Sequence, residues 1–178
     1  MNGGAWLQVG ERKVDVLLRD VEVVDHWSAR ARSGEYEVEL LLGYLAGIPT
    51  YSLLAERAIA VTLRGAPPGP ECEPFPEVLA EDGAARWRFH RDFSLEQART
   101  RARRGDVVGA VGQVARAAVE AAHARLCARR AWVLNEKRII ERAGLERVQP
   151  LFRHVPGDNG LLGWVADVEA ALADTANP

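Results

Sequence analysis

Three groups of residues in this sequence have the types and spacing to do chemistry. The first is a polar line on one long helical stretch: Asp106, Gln113, Arg116, Glu120 and His123 fall on one side of residues 106–126. A guanidinium, a carboxylate and an imidazole on one helix face can bind an anion or move a proton if that face borders a cleft. The second is Asn135-Glu136-Lys137, just downstream, which would complete such a cleft. Lys137 stands out because Lys13 and Lys137 are the only lysines among 23 basic residues, and a lysine is a compact charge suited to a phosphate. The third is Asp15, an acid inside the β-rich run Val14-Asp15-Val16-Leu17-Leu18. An acid inside an otherwise apolar strand asks for an explanation. Each group also has a plainer reading. Amphipathic helices have a wet side, a first-turn lysine is commonly solvated, and Asp15 sits on a strand that alternates between faces.

Other chemistry is thinner. His123 and Cys127 are spaced i, i+4 on a helix, but no second pair completes four zinc ligands. Cys72 and Cys127 are too few for a disulfide framework. A net charge of −2 and a pI near 6.1 argue against a broad nucleic-acid surface. Residues 1–10 lack a basic start followed by an apolar run, and no stretch reaches the ~18 consecutive apolar residues of a membrane span. The expected location is the cytoplasm, with no membrane partner.

The elements that must position these groups follow from periodicity. Residues 5–19 read as a hairpin turning at Gly10-Glu11, with Val14, Val16 and Leu18 on one face and Asp15 and Leu17 on the other. Residues 21–33 read as a helix on Val24, Trp27 and Ala31, stopped by Gly34. The run 36–45 reads as helical, broken by Gly47-Ile48-Pro49, and a helix resumes over 52–63. Residues 65–70, Gly-Ala-Pro-Pro-Gly-Pro, make the best linker. A short helix starts at Pro76, and 84–104 reads as one or two helices, because Ser94 and Gln97 fit a capping box.

The long helix follows, capped by Asp106, with Val107, Val108, Val111, Ala115, Ala118, Val119, Ala122 and Leu126 inward. Its other side is small, with Gly109, Ala110, Gly112, Ala117, Ala121 and Ala124, and admits close neighbours, so it reads as a central bundle helix. The last helix covers 161–173 on Leu161, Leu162, Val165, Val168 and Leu172. The fold class is therefore α+β and predominantly helical, an N-terminal hairpin followed by a C-terminal helical bundle. Residues 1–65, a linker at 66–75 and residues 76–178 form its parts. A two-stranded hairpin is not stable alone, so this one must pack on the helices or join a sheet this chain does not supply.

Three runs together carry a resemblance: GAWLQVGERKVDVLLRD, LLGYLAGIPTYSLLAE and RGDVVGAVGQVARAAVEAAHARLCARRAWVLNEKRIIERAGL. From about Gly4 to Leu145 the chain resembles bacterial nucleotidyltransferase-domain proteins of the polymerase-β-like superfamily, the group that includes antibiotic nucleotidyltransferases. The resemblance implies a partial sheet carrying Asp15 as the third catalytic carboxylate and metal ligand. It implies Lys137, with Asn135 and Glu136, facing a nucleotide, and Arg116, Glu120 and His123 lining the cleft. It implies ATP or another NTP, Mg²⁺ and a small-molecule hydroxyl acceptor. The family's Gly-Ser turn and Asp-x-Asp strand are missing: Gly3-Gly4 is not followed by Ser, and Asp-x-Asp occurs nowhere. One acid cannot build the two-metal site that nucleotidyl transfer needs, so this polypeptide is expected to transfer poorly or not at all.

Two rival readings stand beside it. One is a non-catalytic module that binds a nucleotide or pairs with another chain, including a homodimer, through an unpaired hairpin edge. The other is a helical-bundle ribonuclease, since Arg116 and His123, with six residues between them, fit a loose Arg-x(4–6)-His pattern.

Overall fold

A computed structural model describes residues 3–66 and 73–173. Two antiparallel strands open the chain, β1 (Gly4–Val9) and β2 (Arg12–Leu17), in the register Trp6 opposite Asp15 and Leu7 opposite Val14. Gly10 takes the left-handed conformation that closes this tight turn. Helix α1 (Val21–Arg32) begins where the Asp20 carboxylate accepts the Glu22 N–H at 2.9 Å, and stops at left-handed Gly34.

The run expected as a helix over 36–45 is not one. Its residues form a short strand β3 (Val38–Glu39), an exposed leucine loop, and β4 (Ile48–Pro49), which pairs back on β3. The reason is local. Gly43 and Gly47 are both left-handed, and a Cβ on Gly47 would sit 2.7 Å from the Glu39 carbonyl oxygen. Thr50 then locks the return: its N–H donates to the Glu37 carbonyl, and its hydroxyl accepts the Glu37 N–H. Helix α2 (Ser52–Ile59) follows.

Most of the expected linker, 67–72 with Cys72, lies outside the described residues. Beyond it, Phe75 is buried with its ring 4.4 Å from that of Trp132. The short helix expected from Pro76 and the segment over 84–104 read as one or two helices are a single helix α3 (Glu77–Ala102), and Ser94 is a buried interior residue, not a cap. A short turn leads into α4 (Val107–Ala128), whose first turn is capped by Asp106 accepting the Gly109 N–H at 2.9 Å. Short α5 (Ile139–Arg142), two 3-10 turns and α6 (Leu161–Leu172) finish the chain.

The core sits on α3 and α4, the most extensively packed pair of elements. Gly83 of α3 is a point of close approach between them; a Cβ there would meet Cys127 Sγ at 3.3 Å. On α4 both sides are buried: Ala118, Ala122 and Leu126 on the expected face, and Ala110, Ala117, Ala121 and Ala124 on the small one. Val108, expected inward, is exposed. Tyr36, Tyr51 and Leu54 from the N-terminal part join the same core as Trp87, Val114 and Val165. Among the described residues no helix is long and apolar enough to cross a membrane.

Candidate functional site

The polar line on α4 is the first place to look. Glu120 and His123 do not line a cleft: each is about 1% exposed, inside the seam between α3 and α4. The expectation failed because α4 has no wet side along its middle turns. Arg116, half-buried at the margin, donates from Nε to Glu120 Oε1 at 2.8 Å. Glu120 Oε2 and both ring nitrogens of His123 have no hydrogen-bond partner among the described residues. The His123 ring stacks on Trp87, centroids 4.3 Å apart and planes within 13°. Burial, helped by the nearby positive charge of Arg142, lowers the His123 pKa to about 3, so the ring is neutral at pH 7.

The same interior continues through hydroxyls and a thiol. Trp87 Nε1 donates to the Tyr51 hydroxyl at 3.1 Å, and that hydroxyl lies 3.4 Å from Cys127 Sγ. Burial raises the Tyr51 phenol well above its ordinary value and pushes the Cys127 thiol up to about 11. A thiol with so little thiolate is not a nucleophile. This column specifies the core. It does not expose a reactive group.

The Asn135-Glu136-Lys137 turn is also committed to structure. Asn135 Oδ1 accepts the Lys137 N–H at 2.9 Å, an Asx turn that fixes the loop. Glu136 reaches across to the leucine loop, where its two carboxylate oxygens accept the Leu45 and Ala46 N–H groups at 2.7 and 2.8 Å. A carboxylate bonded twice to backbone is a brace, and that is the position Glu136 holds in this structure. Lys137 is exposed and forms no ion pair among the described residues.

Asp15 is exposed on β2, with Trp6 beside it on the neighbouring strand. Among the described residues no group of three His, Cys, Asp or Glu side chains is placed to hold a metal. Asp15 alone does not fit a Mg²⁺ site of the kind nucleotidyl transfer requires.

The clefts lie elsewhere. One of about 300 Å³ opens between α1 and α2, walled by Val21, Val24, Leu53 and Ala60 with Arg19, Glu56 and Arg57. A second, about 230 Å³, shares Arg19 and Leu53 with it and adds Leu17, Trp27, Tyr44 and Thr50. Arg19 donates from Nε and Nη2 to both Glu56 oxygens at 2.8 and 2.7 Å, so its charge is already met. Neither cleft is lined by Asp15, Lys137, Arg116, Glu120 or His123. Sequence reasoning missed Arg19 and Glu56. They lie 37 positions apart, and no local pattern connects them.

No family model matches this chain, and no curated protein or solved structure matches it either.

Proposed function

We propose that this chain is a nucleotidyltransferase-type helical module that works by association and does not transfer nucleotides on its own. The observation that carries this reading is the hairpin. Trp6 is 90% exposed, Val9 61% and Leu17 60%, and beyond its root at Leu17–Arg19 the ribbon packs on no other element extensively. Two strands with apolar side chains in water need more sheet or a covering surface. Asp15 rides on this ribbon, and among the described residues no group of three His, Cys, Asp or Glu side chains is placed to hold a metal there, in keeping with a chain whose sheet, and any metal chemistry on it, is incomplete by itself.

The test is direct. The chain is incubated with Mg²⁺, labelled ATP and a panel of hydroxyl-bearing small molecules, aminoglycosides included. No transfer is expected. Efficient transfer that Asp15→Asn abolishes would overturn the reading.

A second reading, nucleotide binding without turnover, draws on the ammonium of Lys137, which has no ion-pair partner among the described residues. It calls for a rise in thermal midpoint with Mg·ATP that is lost in Lys137→Ala.

A further inference from the structure

The exposed ribbon carries more information than its need for cover, because its outer strand is marked with charge. In β2 the sequence is Arg12-Lys13-Val14-Asp15-Val16-Leu17. Among the described residues the sheet consists of β1 and β2 only, so the outer edge of β2 is unpaired along its length. Lys13, Val14 and Asp15 are all exposed. A charged residue on a free edge ordinarily discourages pairing. Lys13 alone would do that. Asp15 two positions later, on the same face, changes the meaning of both.

We infer that β2 pairs antiparallel with β2 of a second copy of this chain, about a two-fold axis at Val14, making one four-stranded sheet across two molecules. The register follows from the charges. With Val14 opposite Val14, Lys13 of each copy lies opposite Asp15 of the other, and Arg12 lies opposite Val16. Opposite charges directly across an antiparallel pair attract, and the symmetry makes the pair twice. A slip of two residues one way sets Lys13 against Lys13, and the other way Asp15 against Asp15. A slip of one residue is barred, since it would turn every side chain to the wrong face. The strand therefore matches itself in one register and repels itself in the neighbouring two.

The pairing also answers the stability question. Four strands pass the threshold below which a ribbon is marginal in water, and Ala5, Leu7, Val9, Val14 and Val16 of both copies align on one face. This assignment rests on the incomplete-sheet reading above, and it names the partner.

Light scattering and sedimentation over a hundredfold concentration range test it on the full chain. Wild type is expected to be a dimer at the upper end. Lys13→Asp and Asp15→Lys, each placing like charges across the seam, are expected to be monomeric with unchanged helical circular dichroism. An equimolar mixture of the two variants is expected to dimerise, because both acids of one variant then face the two lysines of the other. The double exchange in one chain is expected to dimerise as wild type does. A wild-type monomer throughout, or a dimer indifferent to both single variants, overturns the second-copy assignment. Amide exchange separates the two levels: a monomer whose ribbon amides exchange freely overturns only the choice of partner. A monomer whose ribbon amides are protected overturns the incomplete-sheet reading as well.

Discussion

The N-terminal ribbon with its leucine loop and the α3–α4 pair use similar residues to opposite ends. Trp6, Leu17 and Leu42 stand in solvent, whereas Trp87, Leu79 and Leu126 are buried. The difference is supply of partners. Each face of α4 finds a neighbour among α3, α5 and α6, while the ribbon finds none of comparable extent. One region buries its large apolar side chains in its own interior, and the other leaves them in solvent.

That contrast can be broken or sharpened by measurement. The largest effect belongs to Trp87→Ala, which removes a fully buried ring stacked on His123 and bonded to Tyr51. It should cost about 3–5 kcal/mol in urea unfolding. Next comes pH. The His123 imidazole has its pKa lowered in the folded state to about 3, so the unfolded chain binds its proton first. Its contribution to stability is complete above the ordinary histidine value near 6.5 and falls as pH drops from there toward about 3, by up to ~1.4 kcal/mol per pH unit. Unfolding curves of wild type and His123→Phe should diverge in slope over that window and run parallel above it.

A smaller loss, about 1–2 kcal/mol, is expected for Glu136→Ala, which frees two backbone donors of the leucine loop. Faster hydrogen exchange confined to the Leu45 and Ala46 amides would check it. The smallest effect is expected for Trp6→Ser at low protein concentration, within about 0.5 kcal/mol, because the ring is already in water. A Trp6 change as costly as Trp87→Ala would erase the distinction between the two regions.

Much of the fold was legible. The hairpin, the Asp106 cap and α6 each rest on a local signal, respectively a glycine turn between alternating runs, a carboxylate before an apolar stripe, and a 3.6-residue repeat. The leucine run at 40–42 misled because consecutive apolar residues have no period, and the two left-handed glycines that set the loop act through backbone geometry. Ser94 misled because Ser-x-x-Gln inside a helix is indistinguishable in sequence from a cap.

At the candidate site, the Arg116–Glu120 pair could be read from its i, i+4 spacing. Its burial could not, since that depends on elements packing from both sides. The Glu136 brace is less legible still, because both of its partners are main-chain N–H groups some ninety positions away.

That brace has a mechanical corollary. The leucine loop belongs to the part of the chain before residue 66 and the Asn135 turn to the part after 73, so the two stretches are stitched together by bonds independent of the covalent tether between them. Tyr36 and Tyr51, resting in the same interior as Trp87, add a second stitch. Severing the polypeptide between residues 66 and 73 leaves both stitches in place and gives up the effective concentration that the covalent link supplies. The two fragments, produced separately and mixed, should find each other and rebuild the same interior.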